Sequence, residues 1–161
     1  VLQRTEELMA DYPVPEGHYL GVACHSSFFT DVAQIAEVSL SDSGDIRVHR
    51  VTCVADVGTA VNPNIVKAQL EGAVMFALTA TLYGAIDLEQ GAVVQSNFHD
   101  YPLLRMNEAP QVDVHLVDSG TEPTGIGEPG VPPLAPAVAN GVYRALGTRL
   151  RTLPLNVTAN V

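Results

Sequence analysis

The stretch VAQIAEVSLSDSGDIRVHRVTCVADV, from Val32 to Val57, decides the fold, because it reads as two strands and the turn between them. Val32 to Leu40 alternates, with Val32, Gln34, Ala36 and Val38 on one side and Ala33, Ile35, Glu37 and Ser39 on the other. That period of two is the signature of a pleated strand. Ser41 to Asp45 centres on Gly44 and reads as a hairpin turn. Ile46 to Val57 supplies the returning strand, in which Ile46, Val48 and His49 lead into the apolar Val51, Cys53, Val54 and Ala55.

Toward the amino terminus, small, β-branched and aromatic residues from His18 to Phe29 predict a further strand. Asp11 to Gly17, with Pro13 and Pro15, reads as a linker, and Leu2 to Met9 has helical composition. On the other side, Asn62 and Pro63 predict the clearest helix start, a capping side chain followed by a proline in the first turn. Ile65, Val66, Ala73, Val74, Phe76, Ala77, Ala80 and Leu82 make this helix apolar nearly all round, so it is expected to be deeply buried, ending near Tyr83-Gly84. Ala85 to Ser96 predicts a hairpin across Gln90-Gly91, and Val112, Val114 and Leu116 a further strand. Thr121 to Pro136 is rich in glycine and proline and irregular. Ala135 to Leu150 is expected to be a second buried helix, and Leu153 to Val161 a closing strand or tail. The sum is an α+β fold: a mixed, mainly antiparallel sheet packed with two main helices.

Eighteen acidic against eight basic residues, a net charge of −10, argue against nucleic acid as a partner. The only cations are Lys67 and seven scattered arginines, too dispersed for a phosphate-tracking surface. Pro, Gly or polar residues interrupt each apolar stretch, so no transmembrane segment is expected. Val1 opens on no signal-peptide pattern, and the compartment, cytoplasmic or periplasmic, stays open. Cys24 and Cys53 are too few and too far apart for a disulfide framework, zinc or an iron–sulfur cluster, and are expected to be buried thiols. His18, His25, His49 and His115 lack ligand spacing and are expected at the surface or satisfied in the core.

Two segments could carry chemistry. In Gly125-Ile126-Gly127-Glu128-Pro129-Gly130 the glycines let backbone approach a ligand, and Pro129 restricts Glu128 to an extended conformation. A carboxylate held in so rigid and apolar a setting is expected to be desolvated and basic, the preparation of a general base. The competing role for Glu128 is to cap the following helix. The second segment runs from Asp56-Val57-Gly58 through Asn62-Pro63 to Gln69-Leu70-Glu71-Gly72. Gln69 and Glu71 fall on an otherwise apolar helix and need polar partners, either neighbouring backbone or a polar cofactor. His99 and Asp100 look like an acid–base pair, but adjacent strand residues point to opposite faces, which favours a structural role.

Five ordered motifs, namely Gly21-Val22-Ala23, Asp56-Val57-Gly58 with Val61-Asn62-Pro63, Gln69-Leu70-Glu71-Gly72, Asn97-Phe98-His99-Asp100-Tyr101-Pro102 and the Glu128 loop, give the chain a family likeness. From Gly21 to Leu155 it resembles the carboxy-terminal part of the large, molybdenum-cofactor-binding subunit of the xanthine oxidase family. The resemblance implies that Glu128 is the general base of a water-derived hydroxylation at an electron-poor carbon of an N-heterocycle or aldehyde. It implies that Gln69 and Gly127 approach the cofactor, a molybdopterin cytosine dinucleotide whose dithiolene, not Cys24, holds the molybdenum. Asp56, Asn62 and Glu71 are then scaffold: turn, cap and buried hydrogen bond. It further implies that [2Fe–2S] clusters lie on a small partner subunit and that the rest of the large subunit completes the site. Residues 18–155 would be the C-terminal portion of the cofactor-binding domain, 1–17 an N-terminal helix and linker, and 156–161 a tail. The alternative is a cofactor-free binding or assembly module derived from such an enzyme.

Overall fold

A computed structural model describes residues 1–157; the last four positions of the expected strand or tail lie outside the described residues. In chain order the elements are α1 (Leu2–Ala10), β1 (Tyr19–Ser27), β2 (Thr30–Leu40), β3 (Ile46–Asp56), α2 (Pro63–Leu82), β4 (Leu88–Glu89), β5 (Ala92–Val93), β6 (Gln111–Val117) and α3 (Leu134–Leu146). The hairpin forms where its alternation predicts. β2 and β3 pair antiparallel, Gln34 opposite Cys53 and Ala36 opposite Val51, with a register shift after Glu37 that sets Val38 against Val48. Gly44, at φ 87°, closes the turn. β1 pairs antiparallel on the outer side of β2, and β6 runs parallel to β3, giving the order β1-β2-β3-β6. β4 and β5 form a separate small hairpin.

The main core lies between one face of this sheet and the helices. Val32, Ala36, Val38, Val48, Val51, Cys53 and Ala55 meet Leu70, Val74 and Leu78 of α2 and Leu134, Val138 and Val142 of α3. Each fully buried Val or Leu there contributes about 1.5–3 kcal/mol relative to exposure. The other face of β2 is closed as well: Ala33 and Ile35, with Val54 of β3, are fully buried where α1 packs. Gly21 sets how closely α3 approaches. A Cβ there would lie 2.0 Å from the Ala137 carbonyl and 2.1 Å from the Gly141 amide nitrogen, so helix and strand meet backbone to backbone.

Four expectations need correction. The strand expected through Phe29 ends at Ser27, because Phe28 (φ 52°) and Phe29 (φ 61°) form a two-residue left-handed turn that no glycine or asparagine announces. α2 is not deeply buried. It packs by Val66, Leu70, Ala73, Val74, Ala77, Leu78 and Thr81, while its opposite side leaves Ile65 60% and Phe76 73% exposed, since no described element covers it. By length and composition alone α2 could cross a membrane, yet its apolar face is spent on the core and its first turn is capped by Asn62, whose Oδ1 accepts from the Asn64 and Ile65 amides. α3 stops at Leu146 rather than Leu150, because Gly147 turns left-handed (φ 73°) and donates to the Tyr143 carbonyl. Cys24 is exposed, on edge strand β1, whereas Cys53 is buried and burial pushes its thiol up to about 12.

The linker is tied to the sheet by polar groups. Tyr12 donates from its hydroxyl to Glu37 Oε2 at 2.8 Å, and His18 Nδ1 lies 2.5 Å from Glu37 Oε1. His18 stacks on His49, whose Nε2 meets Ser39 Oγ at 2.7 Å, so both histidines are satisfied as expected. Burial of Glu37 raises its pKa, but the hydrogen bonds from His18 and Tyr12 outweigh this and hold the carboxyl below its ordinary 4.5.

Two outcomes follow for stability. Gly21→Ala should lower the free energy of unfolding in a denaturant titration by about 3 kcal/mol, at the upper end of overpacking costs, because the obstacle is backbone. A folded pKa depressed below the unfolded value stabilises above about 4.5 and ceases to do so as pH falls through the folded value. The stability advantage of wild type over Glu37→Gln should therefore shrink as pH falls below ~4. An advantage that grew as pH fell below ~4 would contradict it.

Candidate functional site

Where β3 ends, Asp56 turns the chain: its Oδ1 accepts from the Gly58 amide at 2.9 Å and from Ser119 Oγ at 2.8 Å. The same turn binds the segment ahead of Glu128. Thr59 donates its amide to the Thr121 carbonyl and Thr124 donates to the Val57 carbonyl, each at 2.9 Å. The hairpin tip approaches from the other side. Gly125 donates its amide to the Phe28 carbonyl at 3.3 Å, and Thr30 Oγ1 lies 2.6 Å from Thr124 Oγ1 and donates to the Gly125 carbonyl at 2.7 Å. Beyond Glu128, Gln34 Nε2 donates to the Gly130 carbonyl at 2.8 Å, deep in the protein.

Gly130 seats this loop on α2. A Cβ at that position would meet Ala73 Cβ at 2.9 Å and Leu70 Cδ2 at 3.0 Å, so the backbone fits where a side chain would not. Gly127 then faces Gln69: a Cβ built on Gly127 would lie 3.8 Å from Gln69 Nε2, with nothing else within 4 Å. Gln69, Gly127 and the adjoining Glu128 are all exposed, and the amide of Gln69 has no hydrogen-bond partner among the described residues. Gln69 and Gly127 are therefore brought together, from a helix and a loop far apart in sequence, with Glu128 next to Gly127 in the chain.

The capping role for Glu128 falls away. α3 begins after Pro133 with no side-chain cap, and Glu128 offers only its carbonyl, to the Val131 amide at 2.9 Å. The expected desolvation is not supplied by this chain either: Pro129 and Gly130 are buried beneath the loop, which leaves the Glu128 side chain exposed. Glu71 does not make the expected buried hydrogen bond, because the solvent side of α2 carries it. Asp56 and Asn62 do act as turn and cap.

His99 and Asp100 are not on a strand but in a turn, with Nε2 and Oδ2 3.5 Å apart. Asp100 accepts from the Asn97 and Ser96 amides and the Ser96 hydroxyl, and the backbone bonds hold its carboxyl down to about 2. Tyr101 sits near Gly84 at the far end of α2, roughly 20 Å along the helix from Gln69 at 1.5 Å per residue. This motif is structural and is not brought to the loop. Thr30, Gln34 and Phe28, which do touch the loop, were not singled out from sequence. The available signal was Gln34 itself, a polar residue on the inward side of an alternating strand.

The open Gly127 backbone beside the free Gln69 amide suits a polar ligand with hydrogen-bonding edges. No group of three or more His, Cys, Asp and Glu among the described residues is placed to hold a metal ion.

Comparison with known proteins bears out the family likeness carried by the ordered motifs. Residues 13–110 match the family model of the molybdopterin cofactor-binding domain. The chain is 39% identical over 140 residues to isoquinoline 1-oxidoreductase subunit beta of Brevundimonas diminuta, covering 86% of this chain and 18% of that protein. It is 28% identical over 150 residues to the aldehyde oxidoreductase molybdenum-binding subunit of Escherichia coli K12, covering 88% and 18%. The chain thus spans less than a fifth of the length of these relatives. Quinoline 2-oxidoreductase from Pseudomonas putida 86 shares the fold, with a TM-score of 0.73 at 24% identity over 78% of this chain and 17% of that one. By its matched family model and its fold, the chain belongs to the molybdopterin cofactor-binding domain family.

Proposed function

We propose that this chain is the C-terminal portion of the large subunit of a molybdenum-dependent oxidoreductase, one that hydroxylates N-heterocycles or aldehydes at an electron-poor carbon with oxygen from water. The observation that carries the proposal is the approach of the Glu128 loop to α2 at Gly127 and Gln69, with exposed Glu128 next in the chain. Support for the substrate class comes from the names of the relatives, an isoquinoline oxidoreductase and an aldehyde oxidoreductase.

In this proposal Glu128 accepts, at its carboxylate, the proton of the water-derived nucleophile as that nucleophile attacks the substrate carbon. Gln69 donates from its amide to the cofactor edge, and Gly127 lets that edge approach the backbone. The cofactor, a molybdopterin in its cytosine dinucleotide form, supplies Lewis-acid activation of water and an acceptor for two electrons when bound. [2Fe–2S] clusters on a small partner subunit would be the outlet for those electrons. In this proposal the rest of the large subunit encloses Glu128, which is exposed in this chain alone. Residues 18–155 are the C-terminal part of the cofactor-binding domain, 1–17 its leading helix and linker, and 156–161 its tail.

Glu128→Gln in the intact enzyme should lower turnover by ~10²–10⁴-fold with molybdenum content unchanged. Near-normal turnover in that variant would remove Glu128 as the base. The chain by itself should neither turn over substrate nor retain cofactor, because Gln69 and Gly127 form one wall of the site. Metal analysis of the purified chain finding one molybdenum per molecule would contradict this.

A further inference from the structure

We propose that Thr30 and Gln34 are positioning residues that fix the Glu128 loop from beneath. The inference rests on Glu128 acting as the base, and it concerns how that carboxylate is held in place.

Both residues lie on β2, an even number of positions apart, so their side chains leave the same face of the strand. Both are fully buried. Thr124 Oγ1 can donate to Thr30 Oγ1 while Thr30 donates its single hydroxyl hydrogen to the Gly125 carbonyl, which satisfies the pair in one direction. Gln34 donates to the Gly130 carbonyl. These two carbonyls bracket Glu128, one on each side. Between them the Glu128 carbonyl accepts one local backbone hydrogen bond, from the Val131 amide. With Gly125, Gly127 and Gly130 in six residues, such a loop has wide backbone freedom unless something outside it is rigid. β2, buried on both faces and hydrogen-bonded along both edges, supplies a fixed support.

Two further features fit this role. The turn of Phe28 and Phe29 places bulky residues at positive φ, which costs energy and persists only where surroundings demand it. It delivers the Phe28 carbonyl to the Gly125 amide and brings Thr30 back under the Gly125 carbonyl. Gln34 is likewise an expensive choice for a core strand. Its Oε1 is buried without a hydrogen-bond partner among the described residues. A valine would pack at that position with less cost but could not hold Gly130.

The test uses the intact, molybdenum-loaded enzyme with Thr30→Val, Gln34→Met, Thr30→Ser and Glu128→Gln. The first two variants remove a hydrogen bond at nearly constant volume. Turnover per bound molybdenum should fall ~10–10²-fold, as for a slightly misplaced catalytic group, with KM within about twofold of wild type. Amide hydrogen exchange across residues 125–131 should quicken in the same two variants, and Thr30→Ser should restore both turnover and protection. If Glu128→Gln turns over near normally, the base assignment fails and this inference with it. If Glu128→Gln is inactive while Thr30→Val and Gln34→Met keep wild-type turnover per molybdenum or unchanged loop exchange, positioning alone is overturned. Loss explained entirely by lower molybdenum content would also overturn it. Where Thr30→Val does not accumulate as folded protein, Gln34→Met decides by the same criteria.

Discussion

β2 is shut off from water on both faces, by α2 and α3 on one side and α1 on the other, and the remaining elements take their places from it. A strand without a solvent side needs hydrogen-bonded neighbours along both edges, which β1 and β3 provide. It also turns every polar side chain on it into a commitment, because a buried polar group must be matched or it costs stability. Glu37 is matched by Tyr12 and His18, which fastens the linker and α1 to the sheet. Gln34 and Thr30 are matched by loop carbonyls, which fastens the other end of the molecule.

The candidate site is a consequence of those attachments. Asp56 closes the turn after β3, that turn holds Thr121 and Thr124, and the chain then passes over the hairpin tip to Gly125. Gly130 drops onto Leu70 and Ala73, one residue beyond Gln69 on α2. Motifs spaced across much of the chain thus serve one loop. The Asn97 to Pro102 segment serves the far end of α2 instead, where Asp100 closes a turn.

What lies open is as informative as what is buried. The side of α2 that carries Ile65, Gln69 and Phe76, the carboxylate of Glu128 and the Phe29 side chain are exposed together with an unpartnered amide. Such a surface suits a piece that spans less than a fifth of its relatives, and it explains why an almost wholly apolar helix is only half covered here.

By itself the sequence determined the hairpin from Val32 to Val57, the capped start of α2, the turn at Gln90-Gly91, the α+β class and the ordered motifs that mark the family. These rest on short-range physics: side-chain period, turn residues at positive φ, and capping by neighbours two or three positions away. The tertiary structure alone decided that Phe28 and Phe29 turn the chain, that Gln69 and Glu71 face outward, that Glu128 caps nothing, and that Thr30 and Gln34 reach the loop carrying it. Those outcomes depend on contacts between residues some ninety positions apart and on which helix face the sheet covers, and no local pattern encodes either.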